Sequence, residues 1–224
     1  MKKTSLIAGS LAMMLTGGAA MFSHSVQADT IALVDNSFES GTFSGTFGTP
    51  GTGWQTFGSA AKGILVQPGS FWNMSNNDGP NALYGVQDNE NDGGSTYQAV
   101  NLDAGVTYTF TVGVGMSASA PKNDGKFAVV FFNDFVGGPV EQAATNGVID
   151  TRGSFSDYSV EFTPTSSGVY HVGVRNRGYV PGTGANNNQS TVFFDNARLT
   201  FVPEPTSLAL LGLGLMAVSR RRRV

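Results

Sequence analysis

The sequence predicts an all-β protein, an antiparallel two-sheet β-sandwich of the jelly-roll kind. A signal peptide precedes it and a short C-terminal transmembrane helix follows. Three observations carry this reading. Thirty glycines and 16 phenylalanines stand against 13% charged residues, the composition of strands separated by many turns. Apolar and polar residues alternate with a period of two through the middle of the chain, the mark of a strand with one buried face. No segment between the two ends shows the 3.6-residue period of an amphipathic helix. The 224 residues divide into 1–28, a signal peptide; 29–201, the sandwich; and 202–224, a tail.

The N-terminal segment places Lys2 and Lys3 before an apolar run from Leu6 to Phe22. Val26-Gln27-Ala28 then sets small residues at −3 and −1 of a cut before Asp29. An uncleaved membrane anchor is the alternative. The polar Ser23, His24, Ser25 and Gln27 end the apolar run and favour cleavage.

In the body the clearest strand is Val106 to Ser117. There Val106, Tyr108, Phe110, Val112, Val114 and Met116 alternate with threonine, glycine and serine. Shorter strands are expected before it at Ile31–Val34, Trp54–Phe57, Ile64–Gln67, Ala82–Val86 and Tyr97–Leu102. After it come Phe127–Phe132, Tyr158–Phe162, Val169–Val174 and Val192–Phe201. Thr49-Pro50-Gly51, Asn77-Asp78-Gly79-Pro80, Asn123-Asp124-Gly125 and Ser166-Ser167-Gly168 supply the turns between them. Trp54 is expected in the core.

Charge narrows the partners. Six of the 13 basic residues lie at the ends, so residues 29–202 hold seven basic against 15 acidic side chains, a net of −8. That argues against nucleic acid, which draws basic surfaces. Cysteine is absent, so no disulfide supports the fold.

The C-terminus reads Val202-Pro203-Glu204-Pro205, then an uncharged run from Leu208 to Val218, then Arg220, Arg221, Arg222 and Arg223. As a helix the 11-residue run is about 16 Å long, against a hydrocarbon core of about 30 Å. It is a short, temporary span, and the arginines stay on the cytoplasmic side. Motif, order and terminal position together resemble the PEP-CTERM sorting signal. The resemblance implies recognition by an exosortase, a membrane-integral protease of Gram-negative bacteria that make exopolysaccharide. Cutting near Pro203-Glu204-Pro205 would release the protein to the cell surface or matrix. An ordinary C-terminal anchor is the alternative.

A second resemblance spans the body. Asn36-Ser37-Phe38-Glu39-Ser40-Gly41 followed by Gly53-Trp54, then Gln98 to Tyr108, then Phe193-Phe194-Asp195-Asn196-Ala197-Arg198-Leu199 are similar in order to the galactose-binding-like jelly rolls. That group includes many carbohydrate-binding modules. The resemblance implies a structural calcium tying the first strand to the last, with Glu39 and Asp195 as ligands and carbonyls near Asn36. Calcium's preference for six to eight hard oxygens is consistent with that. Asp88 to Gly93 echoes an EF-hand loop, but Ala99 stands where the twelfth-position glutamate belongs, so it reads as a solvated acidic loop.

Catalytic machinery is not evident. His171 is the body's one histidine, which leaves no histidine-based metal site, and no G-x-S-x-G elbow occurs. Its strand parity turns His171 away from Tyr170, Val172 and Val174, toward the face of Gly173 and Arg175. The expectation is a non-enzymatic surface or matrix protein, structural or glycan-binding, with Trp72 and Tyr179 in polar stretches as candidate sugar contacts. The alternative is a secreted polysaccharide hydrolase working through a carboxylate pair that the sequence does not locate.

Overall fold

The computed structural model describes residues 28–41, 50–58, 64–66, 74–75, 78–87, 94–118, 123–133, 140–149, 152–184 and 190–203. Residues 1–27, Trp72, the acidic loop from Asp88 to Gly93, Glu204, Pro205 and Arg220 to Arg223 lie outside that set. So do the expected signal peptide and tail helix. No helix among the described residues is long and apolar enough to cross a membrane.

Eleven strands are described: β1 (Asp29–Ile31), β2 (Gln55–Phe57), β3 (Ile64–Val66), β4 (Ala82–Gln87), β5 (Ser95–Leu102), β6 (Tyr108–Met116), β7 (Gly125–Phe132), β8 (Glu141–Ile149), β9 (Phe155–Phe162), β10 (Gly168–Tyr179) and β11 (Ser190–Phe201). They form two antiparallel sheets. One has the order β3-β4-β11-β6-β9, with β1 also pairing β11; the other runs β2-β5-β10-β7-β8. The protein is therefore an all-β sandwich.

The core lies between the sheets. From β6, Tyr108, Phe110, Val112, Val114 and Met116 are all buried, as their alternation predicts. They meet Phe127, Val129 and Phe131 of β7, Val172 and Val174 of β10, and Val192, Phe194 and Leu199 of β11. The Phe131 ring stands edge-on to Phe110 at 6.2 Å and tilts against Phe162 at 5.2 Å, geometries that aromatic quadrupoles favour. Phe131→Ala would leave a cavity spanning both sheets. The expected cost is about 4 kcal/mol, which lowers the melting temperature by roughly 10 °C for a domain of this size. A calorimetric shift under about 2 °C would contradict this role.

Two differences from the sequence-based strands have physical causes. β8 was not expected, because Glu141-Gln142-Ala143-Ala144-Thr145-Asn146-Gly147-Val148-Ile149 carries no run of bulky apolar residues. Among the described residues it is an edge strand, paired to β7 alone. Its backbone is drawn out by that ladder, since its side chains have weak strand preference. β1 lies two residues upstream of its expected start, at Asp29–Ile31 rather than from Ile31. There it matches Asp29 with Phe201 and Ile31 with Leu199. From Leu33 the chain instead turns across the sandwich edge, where the Gln98 side chain takes a strand partner's place: Val34 N–H donates to Gln98 Oε1 at 2.8 Å and Gln98 Nε2 donates to the Val34 carbonyl at 2.9 Å.

Candidate functional site

Two places outside the main core concentrate polar chemistry. The first is a gap along β11. On one edge β11 pairs β4 through Ser190–Phe194 and β1 through Leu199–Phe201. Between them, Asp195 to Arg198 shift register against β6, and Asn196 adopts a left-handed φ of 49°, as a bulge requires. The segments 35–41 and 78–81 fill this gap. Ala197 N–H donates to the Asn36 carbonyl at 2.8 Å. Trp54 Nε1 donates to the Asp35 carbonyl at 3.0 Å, and its ring packs on Phe38 at 4.8 Å. Trp54 is core, as predicted.

Asp195 is fully buried in this gap. Its Oδ2 accepts the Asp78 N–H at 2.9 Å and its Oδ1 the Asn196 N–H at 2.7 Å. Burial pushes its carboxyl from the ordinary 3.8 up to about 7; the two N–H bonds oppose the rise, and the charges of Asp78 and Glu39 add to it. Glu39 accepts from Asn81 N–H and from Asn81 Nδ2, each at 3.0 Å. Gly79, at a φ of 68°, leaves the space that the Glu39 carboxylate fills; a Cβ there would collide with it. The fold thus brings Glu39 and Asp195 together from residues far apart in the chain. Among the described residues no group of three or more His, Cys, Asp or Glu side chains is placed to hold a metal ion. The donors in this gap are two carboxylates plus backbone oxygens, the kind of ligand calcium takes.

The second place is the outer face of the five-stranded sheet. Pairing sets His171 opposite Ala99 and Phe132, Gly173 opposite Tyr97 and Val130, and Arg175 opposite Ser95 and Ala128. Side chains on that face point away from the core. Tyr97, Ala128, Val130 and Phe132 make a separate apolar cluster there, with Ala144 packed against it. His171 stands edge-on to Tyr97 at 5.3 Å, and its Nδ1 is 3.1 Å from the Asn133 carbonyl. Gly173 lets the floor close up: a Cβ there would lie 2.6 Å from the Thr96 carbonyl and 3.1 Å from the Phe132 ring. At one side Tyr97 hydroxyl donates to Gln55 Oε1 at 3.3 Å, and Phe57, paired opposite Ser95, is 46% exposed. At the other side Arg175 and Arg177 converge on Glu141, with nitrogen–oxygen distances of 2.6 Å.

Sequence reasoning reached part of this. His171 shares a face with Gly173 and Arg175, as its parity predicted. Tyr179, expected in a loop as a sugar contact, is instead the last residue of β10 and is 3% exposed. The strand runs five residues past its expected end, so the ring is taken into the interior and offers no open face. Tyr97, Phe132, Glu141, Arg175 and Arg177 were not foreseen. One signal was available: Val129-Val130-Phe131-Phe132 is apolar without alternation, which marks a strand covered on both faces.

The body is a two-sheet antiparallel sandwich, and a C-terminal sorting motif follows it. The family model described as "HpiC1-like: HpiC1 cyclase" matches residues 29–200, and the PEP-CTERM protein-sorting motif matches residues 201–223. The chain belongs to the HpiC1-like family. No curated protein matches it. Among solved structures it is similar to the tandem CBM22-1–CBM22-2 domain of Paenibacillus barcinonensis Xyn10C, at 14% identity, covering 80% of this chain and 47% of that one, with a TM-score of 0.51. It is similar also to TmCBM61, solved in complex with β-1,4-galactotriose, at 18% identity, 75% and 95% coverage and a TM-score of 0.49. At these identities the first likeness establishes the fold alone.

Proposed function

We propose that this chain is an exported cell-surface or matrix protein whose sandwich holds a glycan on the outer face of its five-stranded sheet. On this reading an exosortase removes the tail after transient insertion in the inner membrane. The observation that carries the glycan reading is the outer face itself. Tyr97, His171 and Phe132 are buried and form only the floor; the parts open to a ligand are the exposed Phe57 ring and the partly exposed Arg175–Glu141–Arg177 cluster. An exposed ring beside forked donors is what a sugar's apolar face and hydroxyls require. The likeness to the tandem CBM22-1–CBM22-2 domain of Xyn10C supports it.

The full-length chain in mild detergent, incubated with the producer's own polysaccharide, is expected to be retained without releasing reducing sugar. Phe57→Ala is expected to weaken retention by about tenfold, equivalent to about 1.4 kcal/mol of contact. Retention untouched by Phe57→Ala would remove this face from the site; Trp72→Ala tests separately the sugar contact expected from the sequence.

Calcium belongs to the same reading. Asp195 and Glu39, with the carbonyls beside Asn36, would hold it and clamp the 35–41 segment onto β11. A bound cation would supply the counter-charge that an ionised, buried Asp195 needs.

A second reading is favoured by Asp195 and the family's name. A buried carboxyl raised to about 7 is partly protonated at neutral pH and can give its proton up, as acid catalysis of a cyclisation requires. The hydrolase alternative needs two carboxylates flanking a sugar. The pair brought together here, Glu39 with Asp195, is engaged by Asn81, Asp78 and Asn196.

A further inference from the structure

We propose that the charged end of the outer face recognises an acidic glycan, one bearing carboxylate or sulfate groups, through Arg175 and Arg177. This rests on the glycan-binding reading and gives it a substrate class. Arg175 and Arg177 lie two residues apart on β10. Both reach Glu141 at the start of β8: Arg175 through Nη1, Arg177 through Nη2 to both carboxylate oxygens, all at 2.6 Å. Two guanidinium groups share one carboxylate, which leaves one positive charge in excess. Residues 29–202 as a whole, this cluster included, carry a net of −8. A polyanion approaching such a domain is repelled everywhere except where positive charge is concentrated. A neutral glycan has no need of such a spot.

The geometry adds direction. Arg177 spends Nη2 on Glu141, while its Nε is buried and has no hydrogen-bond partner among the described residues. Nε belongs to the guanidinium edge that takes a carboxylate or sulfate in a two-pronged fork. The three side chains are 17–30% exposed while the Arg177 Nε itself is covered, so an acid group reaches that edge by displacing Glu141, and ionic contacts there outweigh those at an open surface. Glu141 acts as an internal stand-in. It holds the two arginines extended above the Ala128 and Val130 floor, and a ligand's acid group then shares or takes its place.

The test compares binding of the full-length chain in mild detergent, at constant calcium, to polygalacturonate and to the same polymer with its carboxyls reduced to alcohols. Tighter binding to the acidic polymer, weakening as salt rises, is the expected result. Arg177→Met is expected to cut the acidic-over-neutral affinity ratio about tenfold, the worth of one charge-assisted fork. Arg177→Lys keeps the charge but loses the fork and should recover only part of it. Glu141→Gln removes the competing carboxylate and should raise the ratio. A merely structural cluster predicts the opposite, loss of both affinities together with a lowered melting temperature. Equal binding to the two polymers overturns the acidic-glycan inference and leaves the glycan-binding reading standing. If the acidic polymer, the reduced one and the producer's polysaccharide all fail to bind, both fall.

Discussion

Calcium added at pH 8 to EDTA-treated protein is expected to raise the melting temperature by about 10 °C, and in its absence stability should fall as pH rises from about 4 to 7. Both follow from Asp195. Its folded value near 7 lies above the ordinary 3.8. Between those two values the native state holds a proton that the unfolded chain has released. Stability therefore declines with rising pH across that window and is flat above it. Forcing a buried carboxylate to ionise over about three pH units costs on the order of 4 kcal/mol. On the proposed reading, a cation seated against Asp195 and Glu39 would replace the proton as counter-charge and offset that cost. Calcium at about a thousand times its dissociation constant stabilises by about 4 kcal/mol, which at 2–4 °C per kcal/mol gives the shift stated. Differential scanning calorimetry at pH 5 and pH 8, with and without calcium, measures it. Melting temperatures independent of calcium at pH 8 would eliminate the cation. A stability that rises between pH 4 and 7 without calcium would show that Asp195 is already ionised and paired.

Alanine at Pro203, Glu204 and Pro205 together is expected to abolish release of the protein from the cell and leave the whole chain in the inner membrane. β11 is paired through Phe201, opposite Asp29 of β1 and Tyr108 of β6. Pro203 has no N–H to extend a ladder, so the sorting motif begins where the folded body stops. Beyond it, moving four arginines through a bilayer costs on the order of 10 kcal/mol, so the tail cannot follow the body out intact. A helix over the 11-residue apolar run would be shorter than the hydrocarbon core, and the arginines would hold the uncut chain at the membrane, so on the proposed reading release requires a cut. Intact mass and C-terminal peptide mapping of the extracellular species measure the outcome. An unchanged extracellular mass in the triple variant would show that this motif does not direct release.

Much of the architecture was legible in the residues. The alternation from Val106 to Ser117 reports a half-buried strand because the side-chain period of a strand is two, and burial selects one parity. The tail was legible for a different reason: proline, charge and apolar length act through local chemistry and membrane thickness, with no tertiary partner required. The sorting-motif match at residues 201–223 agrees with the reading of the tail. Glu39 and Asp195 were singled out by a resemblance; their approach to each other depends on β1 and β4 sharing one edge of β11 and leaving a gap between them.

What remained hidden was whatever a neighbour imposes. β8 is extended because β7 pairs it, although Ala143, Ala144 and Gly147 have little strand preference of their own. Tyr179 reads as a loop residue until β10 is seen to run five positions further. Arg175, Arg177 and Glu141 look like solvated charges in the sequence, and only the β10-β7-β8 order lays them across one apolar floor. A strand's own period and a tail's composition are properties of neighbouring residues along the chain. The convergence of distant side chains depends on sheet order and register, which the chain acquires only when the two sheets close on each other.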